Sequence, residues 1–594
     1  MKENLKALRK LMKRYKVEAY LVPSTDPHQS EYVPQFWKRR QFLTGFTGSA
    51  GDAIVTLKKA GLWTDSRYYL RAERELGGSG FALFKGGMPG VPIWQEWVAK
   101  ELSAGQSLGL DPKLITHRDF IQLEKDLERR DIRAKIIEKN LVDAIWSQRP
   151  TLPDGEISIH GKKHAGESIR SKIERLRQKI SAEGVDAHVL SQLDAIAWLF
   201  NIRGSDVEFI PVAIAYAIIT LKKATLFIAR EKVSPRVCRV LARDVLIEDY
   251  EGFSSRLREL GKKRLRIWLD ETSASEWVVR LVGRDTPLIF KPSPVHLFKA
   301  VKNTTEIAGF KEAHRRDGVA MVNFLCWLEK EATKGMVTEL SAAKKMEEFR
   351  HQQDLFMSLG FETISSFGSH GAVVHYSVSP ETDIPIKPPG IYLIDSGSQY
   401  KDATTDITRT ICLVRPTDEQ RDRFTRVLKG LIALTRVSFP QGTFGTQIDC
   451  LARLALWEKG LNYGHGTGHG IGSYLSVHEG PQSIAPARGF GVALEPGMIT
   501  SIEPGFYKEN DYGLRVENVA LVVKKASKSA KDAAFYSFET LTLCPIDLKL
   551  VKKKLLTADE TQWLNNYHWR VRTSLMPRLA KAEAAWLEKA TRPI

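Results

Sequence analysis

The opening segment "MKENLKALRKLMKRYKVEAYLV" spaces apolar residues among charges and then becomes continuously apolar, which predicts an amphipathic helix running into a strand. This pattern returns farther along. "KVEAYLV" (16–22) is followed roughly forty residues later by "VTLKKAGLW" (55–63), and "GVDAHVL" (184–190) at a similar distance by "ITLKKATLF" (219–227). In each case a helix rich in Lys, Arg and Leu precedes the first strand. The shared order, spacing and TLKKA predict two related α/β domains in tandem. Their boundary falls in "TLPDGEISIHGKKHAGES" (151–168), where Pro and Gly interrupt any period. A third part starts after "IFKPSPV" with helical spacing in "TEIAGFKEAHRRDGVAMVNFLCWLEKEA". Beyond about residue 360 the pattern shifts to short strands separated by Gly and Pro. Thr557 and Glu560 form a capping box that opens a terminal helix. The expected domains are 1–155 and 156–297, both α/β, and 298–594, α+β.

Composition narrows the class. Apolar residues make up 43% and charged ones 27% of 594, ordinary for a soluble globular protein. No apolar run reaches the length of about 18 that a membrane span needs. The start lacks an apolar signal segment, and Glu3 and Glu18 speak against a transit peptide. Cys238, Cys326, Cys412, Cys450 and Cys544 form no CxxC pair, which fits a reducing compartment and a cytoplasmic protein. The net charge of +18 raises nucleic-acid binding. However, the basic residues are spread along the chain among 70 acids, with one dense patch, "LKLVKKKLL", and no RNP, zinc-finger or KH signature. No specific nucleic-acid partner is expected.

The candidate chemistry lies in the third part. "GIYLIDSGSQYKDATTDITRTICLV" (390–414) reads as strand, turn, strand, the first ending in Asp395, the second carrying Asp406, Thr408 and Thr410 on one face. A buried carboxylate is costly unless paired or bound to a metal, and two neighbouring ones repel unless a cation or proton lies between them. "GMITSIEPGFY" (497–507) places Glu503 after a strand; "DYG" turns, and "LRVENVALVV" (514–523) carries Glu517. Four acids in two hairpins point to a dinuclear metal site. Between them, "YGHGTGHGIG" (463–472) offers His465 and His469. Gly466, Gly468 and Gly470 argue against a helix, so these are not a two-histidine helical motif but one ligand and one groove residue. The glycines are expected to let the backbone pass close to a substrate.

Asp395, Asp406, His469, Glu503 and Glu517 resemble, in order and spacing, the five ligands of the pita-bread metallopeptidases: methionine aminopeptidases, prolidases and Xaa-Pro aminopeptidases. "GHGTGHGIGSYLSVHEGP" (464–481) and "LVPSTDPHQSEYVPQFWKRRQFLTGFTGSAG" (21–51) are similar to Xaa-Pro aminopeptidases in particular. The resemblance implies two tandem creatinase-like α/β domains before a pita-bread α+β catalytic domain. It implies two divalent metal ions, usually Mn2+, with Co2+, Zn2+ or Fe2+ open, sharing a hydroxide that attacks the carbonyl before a penultimate proline. His469 would be the nitrogen ligand and Glu503 would also shuttle a proton to the leaving nitrogen. His375 and His478 match substrate-binding histidines, and His465 a third histidine of the groove; His370 has no match and reads as structural or solvated. Arg515, two residues before Glu517, would brace a ligand carboxylate, with Asp395 as the implied partner. Arg67, in "WTDSRYYL", matches a peptide-binding residue of the first domain. A proline-shaped apolar pocket would give selectivity. Partners are then peptides with proline second and, in a homodimer, a second copy.

Two other readings compete: a prolidase restricted to dipeptides, and a non-catalytic pita-bread relative binding RNA or protein. Such relatives typically lose metal ligands, and all five are present here. Methionine aminopeptidases are generally shorter and lack this N-terminal half.

Overall fold

A computed structural model describes residues 1–283, 285–486, 491–525 and 534–594. The chain forms two compact units, 1–161 with 167–296 and 162–166 with 297–594.

In the first unit, helix α1 (Lys2–Arg14) buries Leu5, Leu8 and Met12, the stripe expected of three-to-four spacing. Strands β1 (Ala19–Val22), β2 (Asp52–Thr56), β3 (Ala60–Thr64), β4 (Ala82–Lys85), β5 (Ser107–Leu110) and β6 (Arg133–Ile136) form a sheet in the order β4-β3-β2-β1-β5-β6. A second sheet contains β7 (Ala187–Leu190), β8 (Ala215–Thr220), β9 (Ala224–Ile228), β10 (Leu246–Glu248), β11 (Ile267–Leu269) and β12 (Leu288–Phe290). Its order, β10-β9-β8-β7-β11-β12, is the same, and so are the strand directions. The repeated TLKKA closes the β2–β3 and β8–β9 hairpins. Thr56 Oγ1 accepts the Lys59 N–H at 2.9 Å, and Thr220 Oγ1 the Lys223 N–H at 2.8 Å.

In the second unit, α2 (Thr304–Glu331) starts at a capping box of Asn303 and Glu306 and buries Phe310, Ala313, Met321, Phe324 and Leu328. It packs beside α3 (Glu339–His351). Three strands, β13 (Ile364–Phe367), β14 (Gly390–Ser396) and β15 (Ile407–Leu413), pair antiparallel around β14. The stretch read as short strands also holds two helices, α4 (Asp418–Arg436) and α5 (Gly445–Trp457). Thr417 and Gln420 cap the first, and Phe424, Leu428, Leu431 and Ile432 face the core, a helical period hidden among its charges. The larger sheet contains β16 (Ser438–Pro440), β17 (Gly468–Gly470), β18 (Glu479–Ile484), β19 (Ile499–Ile502), β22 (Asn518–Lys524) and β23 (Phe535–Thr540), ordered β16-β23-β22-β19-β17-β18. Strands β20 (Gly505–Lys508) and β21 (Tyr512–Arg515) pair apart from it. Helices α6 (Ala558–Leu575), capped by Thr557 and Glu560, and α7 (Lys581–Ala590) end the chain's core.

Two local expectations change. Asp406 is not on the second strand but just before β15, because 398–404 first forms a small hairpin of its own. The second hairpin is broken. Strand β19 pairs with β22 up to Ile502–Asn518, and β20 with β21 from Gly505–Arg515. Pro504 cannot donate to the ladder, so both strands bend at one level, and Glu503 and Glu517 face each other across the bend.

Candidate metal centre

Two threonines of β15 tie the hairpins together. Thr408 Oγ1 donates to Glu517 Oε2 at 2.8 Å and accepts from Arg515 Nε at 3.1 Å. Thr410 Oγ1 accepts the Arg515 N–H at 3.0 Å and donates to the Arg515 carbonyl at 2.9 Å. The Glu517 N–H completes the seam on the Thr408 carbonyl at 3.1 Å. Register therefore fixes where the acids converge: Asp395 lies opposite Thr408, and Asp406 two residues before it.

The glycine-rich stretch is not loose. Gly468–Gly470 is strand β17, between β18 and β19. A Cβ on Gly468 would lie 2.0 Å from the Ser501 carbonyl, and one on Gly470 2.2 Å from that of Glu479. These glycines admit neighbouring strands; the expected clearance for a substrate is not what requires them. Helix α5 holds the approach: Arg453 donates to the carbonyls of Tyr463 and His465, and Asp449 accepts from Thr467 Oγ1 at 2.6 Å.

His469 Nε2 faces Asp406 Oδ2 at 3.5 Å and Glu503 Oε1 at 3.4 Å. Its Nδ1 donates to the Gly470 carbonyl at 3.0 Å, so that Nε2 is the nitrogen that faces the acids and, once deprotonated, the one that could bind a metal. Donor atoms of Asp406, His469 and Glu517 lie within 4.8 Å of one another. Asp395 Oδ1 and Glu517 Oε1 are buried without a hydrogen-bond partner.

Electrostatics points the same way. Burial pushes the Asp395 carboxyl up; Arg515 opposes this and Asp406 adds to it. Glu517 is raised well above the carboxylate range by burial, then by Asp406, Glu503 and Asp395. Glu503 rises to about 7 through burial, which the His469 charge resists and Asp406 reinforces. Burial disfavours the His469 imidazolium, but Asp406 and Glu503 outweigh it and hold the group at about 9. Without further positive charge these acids cannot all ionise. Two divalent cations would take up the charge and the unpartnered oxygens, so the donor set fits them.

Arg515 Nη2 reaches Asp395 Oδ2 at 2.6 Å, and its Nη1 donates to the Tyr507 hydroxyl at 2.6 Å. That hydroxyl meets His465 Nε2 at 2.9 Å, while His465 Nδ1 meets the Gly466 carbonyl at 2.7 Å. Both His465 nitrogens thus have protein partners. Tyr507 was missed in the sequence. The signal was strand alternation: Arg515 pairs with Gly505, so Tyr507 is its diagonal neighbour over a position with no side chain. His478 sets its ring edge-on to His469, centroids 4.4 Å apart, and the next residue, Glu479, binds buried Lys299 and Lys302 at 2.7 Å each. His375 is half-buried beside Val374, whose carbonyl accepts from Arg515 Nη2 at 3.4 Å. His370 binds the buried Glu339 carboxylate at 2.9 Å, a structural contact. Arg67 belongs to the first unit, where Asp65 holds its guanidinium by two bonds of 2.8 and 2.7 Å.

Family models agree with this architecture. Residues 308–524 match metallopeptidase family M24 and 534–594 the C-terminal region of that peptidase. Residues 4–139 and 148–306 each match a creatinase/prolidase N-terminal domain. A protein of Neosartorya fischeri named probable Xaa-Pro aminopeptidase P is 42% identical over 100% of this chain and 92% of its own. Its namesake in Coprinopsis cinerea is 40% identical, covering 100% and 98%. The crystal structure of an X-prolyl aminopeptidase from Caenorhabditis elegans, described as a cytosolic enzyme with a di-nuclear active site, is 36% identical. It superposes with a TM-score of 0.96 over 100% of this chain and 99% of that one. An Xaa-Pro dipeptidase from Bacillus anthracis shares the fold, at 24% identity and a TM-score of 0.52, over 64% of this chain and 99% of its own. With two creatinase-like domains preceding a pita-bread domain that carries the candidate metal centre, the chain belongs to the Xaa-Pro aminopeptidase P group of metallopeptidase family M24.

Proposed function

We propose that the chain hydrolyses the peptide bond between an N-terminal residue and a penultimate proline, using two divalent metal ions. The carrying observation is the cluster of Asp406, His469 and Glu517, with Glu503 3.4 Å from His469, Asp395 raised in part by Asp406, and two buried carboxylate oxygens, on Asp395 and Glu517, lacking partners. Those five residues are the proposed ligands. When bound, the ions supply a water acidic enough to attack near neutral pH and a Lewis acid for the scissile carbonyl. A mostly oxygen donor set favours Mn2+, with Co2+, Zn2+ and Fe2+ as alternatives.

The chain's own groups do the rest. Glu503, whose Oε1 lies 3.4 Å from His469 Nε2, is the group placed to pass a proton to the leaving proline nitrogen. His375 and His478 bind peptide carbonyls or the developing oxyanion. His465, with both nitrogens engaged, lines the groove with its ring and is an acceptor for Tyr507. Arg515 braces Asp395, and Arg67 contributes to peptide binding from the first domain. The proposed domains are 1–155, 156–297 and 298–594, in a cytoplasmic homodimer.

Release of the N-terminal residue from Arg-Pro-Pro, Arg-Ala-Ala and the dipeptide Arg-Pro, by metal-stripped protein and by protein given Mn2+, tests the reading. Metal-dependent cleavage of Arg-Pro-Pro and not of Arg-Ala-Ala is expected. Cleavage restricted to the dipeptide Arg-Pro would make the chain a prolidase. No cleavage together with no bound metal would leave the non-catalytic binding protein.

A further inference from the structure

Arg409 is 1% exposed, and among the described residues no carboxylate pairs with it. An unpaired buried cation is costly unless its donors are met and negative charge lies nearby. All its donor atoms are met by neutral oxygens. Nη1 binds the carbonyls of Thr408 at 2.9 Å and Glu517 at 2.5 Å. Nε binds the Pro545 carbonyl at 3.1 Å. Nη2 binds Asn518 Oδ1 at 2.9 Å, the Cys544 carbonyl at 3.0 Å and the Tyr567 hydroxyl at 2.8 Å. The first two carbonyls lie on the seam between the acid-bearing hairpins, at the bend where the ladder is interrupted. The others belong to β22 or to the C-terminal region. Tyr567, on α6, in turn donates to the Cys544 carbonyl at 2.9 Å. The seam therefore has a brace on each side: Thr408 and Arg515 on the acid side, Arg409 and α6 behind.

We propose that Arg409 and Tyr567 are positioning residues through which the C-terminal region sets the metal affinity of the centre, a role that rests on the metal-centre reading above. Fixing the Thr408 and Glu517 backbones at the bend fixes the Glu517 carboxylate and, two residues from Thr408, that of Asp406. A planar guanidinium spans these divergent carbonyls; a lysine ammonium has three donors on one atom and cannot. Losing such outer partners typically lowers metal affinity about 10–100-fold.

The test is Mn2+ titration calorimetry on the full-length, metal-stripped chain, for the wild type, Arg409→Lys, Tyr567→Phe and Leu587→Ala. Melting temperatures are taken without metal. Leu587 is a buried C-terminal residue in the main core and controls for destabilisation alone. The expected result is a loss of affinity of about 10-fold or more for Arg409→Lys, a smaller loss for Tyr567→Phe, and wild-type affinity for Leu587→Ala despite a lower melting temperature. Wild-type affinity in folded Tyr567→Phe overturns the inference, even if Arg409→Lys does not fold. So does an equal affinity loss in Leu587→Ala. A wild type that binds no Mn2+ overturns the metal-centre reading itself.

Discussion

His465 and His469 are four residues apart and have different surroundings. His469 has its Nδ1 proton on the Gly470 carbonyl and its Nε2 aimed between two acids; His465 has both nitrogens engaged, one by Tyr507. His469→Ala should therefore lower bound metal severalfold, measured by elemental analysis after dialysis. His465→Ala should leave metal content near normal while weakening turnover of Arg-Pro-Pro. Equal metal loss in both would refute this division. The proposed donors were legible in the sequence because carboxylates in or beside apolar runs are conspicuous. Tyr507 was not, because a tyrosine on a strand is ordinary and only the register sets it diagonally across from Arg515.

At the scale of elements, the glycine run became a strand because its neighbours come too close for any side chain. Gly468→Ala drives a Cβ against the Ser501 carbonyl at 2.0 Å, on the strand that leads to Glu503. It should cost several kcal/mol, of the order of a severe overpacking change (about 3 kcal/mol), and reduce metal content with it. Gly466→Ala meets only Ala485 Cβ at 3.3 Å and the Ile484 carbonyl at 3.6 Å, and should be much milder in a thermal melt. Comparable destabilisation by both would contradict the packing argument. The sequence reading placed the glycines beside a substrate because composition announces space without saying what fills it. The broken hairpin was hidden similarly: Pro504 announces a break, but that the opposite strand breaks at the same level follows from pairing.

Across the whole molecule, each unit has its own apolar clusters, around Leu8, Tyr20 and Phe253 in the first and Phe310, Phe424 and Leu431 in the second. Calorimetry is expected to show two unfolding transitions, with Mn2+ raising only that of the second unit. Saturation at 100 times the dissociation constant is worth about 2.7 kcal/mol to the fold that binds. A single transition shifting as one would count against independent units. No helix of the described residues is long and apolar enough to cross a membrane. By itself the sequence determined the tandem α/β repeat and the α+β third part, and it supplied the donor set proposed for the metal centre. Those rest on local periods, on repeated segments and on residue types that are costly to bury, all of which are written along the chain. Only the tertiary structure decided that Asp406 lies off its strand, that Glu503 and Glu517 meet at a shared bend, and that Arg409 joins that bend to a helix 158 residues away. Such contacts depend on strand register and on closing long loops, and neither leaves a local period to read.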